Sequence, residues 1–260
     1  MTLSAKLGAE LYRLTHRGNP GDVAFYSALC EPAQSVLELG SGYGRLVTAL
    51  ARQDRRLVGL ELDRGLLGLA RHAVRALPAS EQRSVRLVLG DMRRFDLGQT
   101  FERVLLPYNG LFCLVNRAEA RSCLRSVRRS LTAGGVFALD IWSANELHQR
   151  RTDGDHDSQV DDGVSAEPLF GIAHGRQRFR VFEACRFYRG KQRLDVTYSY
   201  VPEGRGKQHS RQLPQRYYRS DELSELLEGE GFRVMRRYGS FARTRFTARS
   251  QQLVLLATPA

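Results

Sequence analysis

The residues able to do chemistry in this chain gather in short stretches, each at the end of an apolar run. The first is Val36 to Leu46, VLELGSGYGRL, where Glu38 stands two residues before Gly40 and glycine recurs at every second position through Gly44. Glycines let a main chain approach a small molecule without Cβ atoms in the way, and a helix beginning there offers unpaired N–H groups to a carboxylate or phosphate. The second is Glu61, about 20 residues beyond the glycines, where a carboxylate can accept from both hydroxyls of a ribose or simply stand as a strand-end acid. Gly90-Asp91-Met92 and Pro107-Tyr108-Asn109-Gly110 close two further runs. A dinucleotide fingerprint runs G-x-G-x-x-G, so this glycine spacing disfavours a nicotinamide-dependent dehydrogenase.

These residues need elements to position them. Val36, Leu37 and Leu39 read as a short buried strand that turns through the glycines into a helix with Leu46, Val47, Leu50 and Ala51 on its inward face. Leu57 to Leu60 is a second buried strand, and Asp63 suits the N-cap of a helix carrying Leu66, Leu67, Ala70, Ala73, Val74 and Leu77. Val85–Leu89, Phe101–Leu106 and Val136–Ile141 read as strands three to five, with an amphipathic helix over 117–131 stopped by Gly134-Gly135. Upstream, Leu3, Leu7, Leu11 and Leu14 keep helical spacing, and Asn19-Pro20 predicts the cap of a second helix through Cys30. Downstream, residues 148–165 turn polar and acidic and read as a mobile loop. Its His148, Asp153, Asp155, His156, Asp157, Asp161 and Asp162 are metal-ligand types in an unspecified geometry, and no metal is expected. From Arg178 to Arg216 the period becomes two, predicting an antiparallel ribbon with a turn near Pro202-Glu203-Gly204. Ser220 is expected to cap a helix, and 231–235 and 252–257 read as terminal strands.

Glu38 with the alternate glycines, then Glu61, then Asp91, each in its own βα unit, resembles the class I S-adenosylmethionine-dependent methyltransferases. The likeness is to small-molecule enzymes that act on amines of glycine or amino sugars. It implies an α/β fold with a doubly wound, mostly parallel seven-strand sheet. Residues 1–32 would be an N-terminal helical cap, 33–147 with 220–260 a Rossmann-like domain, and 148–219 a loop plus an antiparallel β insert after strand five. It also implies S-adenosyl-L-methionine as cofactor and S-adenosyl-L-homocysteine as product. The implied cofactor residues are Glu38, Gly40, Gly42, Tyr43, Glu61, Leu62, Asp91, Met92 and Pro107, with Asp91 accepting from the adenine amino group and Met92 packing on its ring. The reaction would move a methyl group to a nitrogen, or an oxygen, of a small metabolite in secondary metabolism. Where the amino-sugar enzymes carry a histidine after strand four, this chain has Cys113. His16 is the candidate base instead, with Tyr108 and Asn109 beside the reacting methyl; an amine needs only to arrive unprotonated, whereas a hydroxyl needs a base. Tyr12, Tyr217 and Tyr218 are expected to wall the acceptor, although Tyr12 and His16 also read as helix-end residues and the tyrosine pair as packing.

Composition narrows the partners. With 260 residues and 42% hydrophobic content, the chain can bury one full α/β core and carry a subdomain. Its net charge of +12 is nearly all arginine, since lysine occurs only at Lys6, Lys191 and Lys207. An RNA methyltransferase with a basic surface is therefore the alternative reading, against arginines that merely solvate outer helix faces. A cofactor-binding module without catalysis is a third. The cysteines Cys30, Cys113, Cys123 and Cys185 lie too far apart for zinc spacing or a secreted disulfide framework, which fits a reducing cytoplasm. Charges within residues 1–30 exclude a signal-peptide core, and the absence of about 18 consecutive apolar residues makes membrane insertion unexpected. A homodimer is compatible with all of this.

Overall fold

The computed structural model describes residues 5–145, 163–164 and 167–260. Helices α1 (Ala5–Thr15) and α2 (Asp22–Cys30) precede β1 (Ser35–Leu39), which is buried at every residue. A short apolar run buried on both faces can only be a strand with cover above and below, and helices supply that cover. The chain alternates through α3 (Arg45–Leu50), β2 (Arg56–Glu61), α4 (Arg64–Arg75), α5 (Ala79–Ser84) and β3 (Val85–Leu89). It continues with β4 (Phe101–Leu106), a 3₁₀ turn at Gly110–Cys113, α6 (Arg117–Ser130) and β5 (Leu131–Trp142). Strands β6 (Gly163–Val164), β7 (Phe170–His174), β8 (Gln177–Tyr188), β9 (Arg193–Pro202) and β10 (His209–Arg216) follow. Helix α7 (Ser220–Gly229) then leads to β11 (Phe232–Tyr238) and β12 (Gln252–Pro259).

Seven strands pair in the order β11-β12-β5-β4-β1-β2-β3. β12 runs antiparallel to both its neighbours, and the five strands from β5 to β3 are mutually parallel. The mostly parallel seven-strand sheet expected from the sequence is therefore present. β1 has β2 on one side and β4 on the other, so the strand order reverses there and leaves a crevice at the carboxyl ends, where open α/β sheets bind ligands.

The second sheet is antiparallel, ordered β10-β9-β8-β6 with β7 also on β8. One face of it has three neighbours, because side chains two apart on a strand share a face. Val181 and Tyr200 pack with Leu11 of α1, Val196 and Leu213 face the crevice, and Phe187 stacks on Tyr217 at the core, ring centroids 5.1 Å apart. The sheet thus bridges the N-terminal helices and the main core.

Local details differ from the sequence reading. Asn19 does not cap α2: its N–H donates to Asp22 Oδ2 at 3.0 Å, and the helix starts at Asp22 after Gly21 in the left-handed conformation. The buried Asp22 carboxylate also takes both ends of the Arg45 guanidinium, at 2.9 and 2.6 Å, which fixes where the helix begins. α6 passes straight into β5, and Gly134-Gly135 lie inside that strand at a register shift instead of stopping the helix. Ser220 is the first residue of α7, and no side chain accepts there as a cap; Asn145 Oδ1 accepts from the Ser220 N–H. The acidic stretch over 148–162 lies outside the described residues.

Gly44 tests this packing. Its φ is 84°, and a Cβ there would come within 3.0 Å of Ala70 on α4. Gly44→Ala combines left-handed strain of about 1–2 kcal/mol with overpacking of about 1–3 kcal/mol. Urea unfolding should show a loss of at least about 2 kcal/mol against the wild type.

Candidate active site

Three successive glycines of the loop after β1 take positive φ: Gly40 at 63°, Gly42 at 57° and Gly44 at 84°. A Cβ on Gly40 would project into open space, so that position keeps the approach to the main chain free. Glu61 at the end of β2 faces the loop. Its Oε2 accepts from the Gly42 N–H and its Oε1 from the Asp63 N–H, each at 2.7 Å. Asp63 in turn caps α4, accepting from the N–H groups of Gly65 and Leu66 as its position predicts. Burial raises the Glu61 carboxyl above its ordinary range, opposed by those backbone donors. Glu38 lies beneath the loop at 3% exposure, and its Oε2 meets no hydrogen-bond partner. Burial pushes its carboxyl up to about 8, against the pull of the Arg45 guanidinium.

These carboxylates border a cavity of about 690 Å³ at the carboxyl ends of the parallel strands. Tyr43, Leu62, Asp91, Met92 and Pro107 line the same space. Leu62 is 61% exposed and, with Met92, offers apolar surface suited to a flat ring. Asp91 is not a free acceptor. Arg93 grips its Oδ2 through Nη2 at 2.6 Å and Nε at 2.8 Å, which holds the carboxyl below its usual range, and also reaches Glu119 at 3.1 Å. Asp91 Oδ1 also accepts from the Arg93 main-chain N–H at 2.9 Å and shares the Nε–H at 3.0 Å, so Arg93 fills most of the acceptor directions of Asp91.

The turn after β4 is held by a residue that the sequence reading passed over. Tyr108 and Asn109 both sit in the left-handed region, at φ 53° and 58°. Asp140, fully buried near the end of β5, accepts from the Tyr108 N–H at 2.9 Å and from the Tyr26 hydroxyl at 2.6 Å, and its own carbonyl takes the Asn109 N–H at 3.1 Å. The Asn109 side chain closes the turn by accepting from the Trp142 N–H. Burial pushes the Asp140 carboxyl up to about 6. A single acid inside the apolar run Phe137-Ala138-Leu139-Asp140-Ile141 was the available signal.

Tyr12 and His16 come to this turn from the end of α1. Their rings stack at 4.0 Å, and His16 stands edge-on to Tyr108 at 6.3 Å. Nδ1 of His16 lies 3.1 Å from the Tyr12 carbonyl, which can only accept, so the proton sits on Nδ1 and Nε2 carries a lone pair. Burial pushes the imidazole down to about 4, making it neutral at pH 7 and a weak base. Tyr43 ties the glycine loop to this segment by donating to the His16 carbonyl at 3.0 Å.

Tyr217 and Tyr218 do not wall the cavity. Both are fully buried in the main core, Tyr217 against Phe187 and Tyr218 against Phe112, with Arg216 over the Tyr218 ring at 4.3 Å. The wall is instead the face of β9 and β10, which contributes Val196, Tyr198, Arg211, Leu213 and Gln215. Arg211 lies 4.6 Å over the Tyr12 ring and 3.3 Å from Asp63. Alternation in the sequence marks these residues as one face, but nothing local says what the face covers. Cys113 also presents its surface to the cavity, as a thiol that burial pushes up to about 11. Among the described residues no group of His, Cys, Asp or Glu could hold a metal ion, and no helix is long and apolar enough to cross a membrane.

The glycine cradle, the partnerless buried oxygen of Glu38 and the carboxylate of Glu61 suit a ligand with a ribose and a cationic amino-acid end. The fold is that of the class I S-adenosylmethionine-dependent methyltransferases, and the cavity lies where such a sheet binds its ligand. Residues 36–135 match the family described as a methyltransferase domain. The chain is 27% identical, over 77% of its length and 79% of the relative's, to dTDP-3-amino-3,4,6-trideoxy-alpha-D-glucopyranose N,N-dimethyltransferase of Streptomyces venezuelae. It is 28% identical, over 42% of its length and 41% of the relative's, to dTDP-4-amino-2,3,4,6-tetradeoxy-D-glucose N,N-dimethyltransferase of Saccharopolyspora spinosa. Among solved structures, the CcbJ methyltransferase from Streptomyces caelestis superposes with a TM-score of 0.79 at 26% identity over 95% of each chain. The protein is an S-adenosylmethionine-dependent methyltransferase, and S-adenosylmethionine is its cofactor.

The buried acids predict a pH signature. Glu38 has an ordinary carboxyl value of 4.5 unfolded and about 8 folded, so the folded state binds the extra proton between those limits and loses stability as pH rises through them. Asp140 acts with the same sign only up to about 6, and His16, lowered from 6.5, with the opposite sign below that value. Urea melts should therefore show Glu38→Gln diverging from the wild type between about pH 6.5 and 8, the variant losing less, by up to about 1.4 kcal/mol per pH unit. Parallel curves for the two proteins would show that Glu38 is not buried as described.

Proposed function

We propose that this methyltransferase acts on the amine nitrogen of a small amino-sugar acceptor in secondary metabolism. The observation that carries the reading is the roof of the cavity. Val196, Tyr198 and Leu213 of the second sheet stand over the crevice, with Tyr12 and His16 at its side and Tyr108 at its floor. Such a bounded space of about 690 Å³ falls in the range for small-molecule sites. The two amino-sugar relatives support the same acceptor class.

In this reading the core over 33–147 and 220–260 holds the cofactor, 1–32 caps it, and 148–219 covers the acceptor. Gly40, Gly42 and Tyr43 shape the amino-acid end with Glu38 beneath, Glu61 accepts from the ribose hydroxyls, Asp91 meets the adenine edge, and Leu62, Met92 and Pro107 pack on the nucleoside. Bound S-adenosylmethionine supplies a methyl group already activated on a sulfonium sulfur. The chain's own work is then alignment and exclusion of water. Tyr108 and Asn109 fix the floor where the acceptor nitrogen arrives, and Tyr12 forms an aromatic wall. His16 orients the acceptor through its Nε2 lone pair.

The assay is transfer of labelled methyl to a panel of dTDP-linked 3-amino and 4-amino sugars, with total RNA as the competing acceptor class. Label is expected in the sugar fraction. Label in RNA, falling steeply with added salt, would replace the reading by the nucleic-acid one.

Glu61 offers a separate check of the cofactor side. Removing an acceptor from two hydroxyls costs about 1.5–3 kcal/mol, roughly tenfold or more in affinity. Calorimetry should show that loss for S-adenosylhomocysteine binding to Glu61→Ala, and equal affinity would remove Glu61 from the cofactor site.

A further inference from the structure

We propose that Glu183, acting through Tyr198, takes the proton that the acceptor nitrogen must lose; the inference rests on the amine reading above. A basic amine arrives at neutral pH mainly as an ammonium ion, whose nitrogen has no free lone pair. The residues closest to the Tyr108 turn are poorly suited to take that proton. Burial keeps the Cys113 thiol and the Tyr12 and Tyr108 phenols neutral and disfavours a charged His16, while Asp140, pushed up to about 6, is fully buried behind the turn and does not line the cavity, so none of them can pass a proton on to water. Glu61 and Asp63 serve the glycine loop and the α4 cap.

The register of the second sheet supplies another route. Glu183 on β8 pairs with Tyr198 on β9, and Tyr198 pairs with Arg211 on β10. Residues directly opposite one another in a sheet lie on one face. Tyr198 and Arg211 line the cavity, so Glu183 continues their row one strand beyond it. The Tyr198 hydroxyl donates to the Glu183 carboxylate, which leaves its oxygen lone pairs for a donor in the chamber. Facing Tyr198 are His16, at 4.9 Å between ring centroids, Tyr108 from the turn after β4, Cys185 beside Glu183 on β8, and Arg211. Cys185 is a neutral thiol that burial pushes up to about 12 and that donates to Glu183 at 3.5 Å. Glu183 is the carboxylate of this set.

The step needs no further reactant. One N–H bond of the ammonium breaks and its electron pair stays on nitrogen; that proton passes to the Tyr198 oxygen as the Tyr198 proton passes to a Glu183 oxygen. Nothing is oxidised or reduced. Glu183 is only half-buried, so it returns the proton to water before the next turnover. Tyr198 touches the acceptor in this scheme, and Glu183 is a positioning residue and proton sink behind it.

The test compares the wild type with Glu183→Gln, Glu183→Asp and Tyr198→Phe on dTDP-3-amino-3,4,6-trideoxy-alpha-D-glucopyranose, the sugar named for the Streptomyces venezuelae relative. S-adenosylhomocysteine affinity serves as the folding control. Glu183→Gln should lower kcat by about 100-fold or more while KM changes little, and should move the rising acid limb of kcat/KM toward the pKa of the free amine. Glu183→Asp should recover part of both. Wild-type turnover and an unmoved limb in Glu183→Gln would overturn the proposal. If the wild type does not methylate this sugar, that acceptor assignment fails, and a readout without substrate decides the pair. The Tyr198 ring carbon bearing the hydroxyl, labelled with carbon-13 and assigned by its loss in Tyr198→Phe, should shift in Glu183→Gln. An unchanged resonance would overturn the proposal.

Discussion

The buried carboxylate of Asp140 is the constraint on which the acceptor end of the site depends. It is fully excluded from solvent and accepts from a helix of the N-terminal segment, through Tyr26, and from the turn after β4, through the Tyr108 N–H. Asn19 Nδ2 adds a third, longer contact at 3.4 Å. Two consecutive non-glycine residues in the left-handed region cost on the order of 1–3 kcal/mol each, and such a conformation persists only where surrounding bonds dictate it. Here one acid dictates both the turn and the seat of α2. The Asp22–Arg45 pair then joins α2 to the start of α3, so the glycine loop, the cap and the turn are tied to one another. That is what alignment of a nucleophile with a methyl group requires.

Charge is divided across the cavity in a way that suits a cation meeting a neutral nucleophile. Glu61, Asp63 and Asp91 gather at the strand ends beside Glu38, whose carboxyl burial pushes up to about 8, and Arg211 reaches from β10 to pair with Asp63 at 3.3 Å. Asp63 and Asp91 are each matched by an arginine, so Glu61 is the acid of this group left to favour a cationic sulfonium. His16 is kept neutral by the same burial.

Much of the fold was legible because its signals are local. Val36-Leu37-Glu38-Leu39 followed by alternate glycines can be little else than a strand, a tight turn and a helix start, and Asp63 sits where an N-cap must. The main sheet followed from counting such units. The errors came where tertiary partners decide. Asn19 looked like a cap, but the Asp22–Arg45 pair moved the helix start; Tyr217 and Tyr218 looked like a polar wall, but Phe187 and Phe112 drew both into the core. Tyr198 and Arg211 were hidden for a different reason. Period-two alternation tells which residues share a face and says nothing about the element that face covers. Only the contact of Tyr200 and Val181 with Leu11 on α1 turns that face toward the cofactor crevice.

The strong positive charge fits this small-molecule architecture once its arginines are followed to their partners. Arg52 pairs with Glu31 and Asp54, Arg121 and Arg125 share Glu230, and Arg178 meets Glu203, all on outer faces. Exposed pairs of this kind add little stability, but they neutralise one another and break up a continuous basic surface. Arg55 is spent inside: it is 3% exposed and donates to the carbonyls of Cys30, Ala33 and Leu50, tying the end of α2 to the end of α3. A phosphate backbone is bound by clustered free cations, in proportion to the number it neutralises. These arginines are spent on carboxylate pairs and buried carbonyls, so they do not form such a cluster.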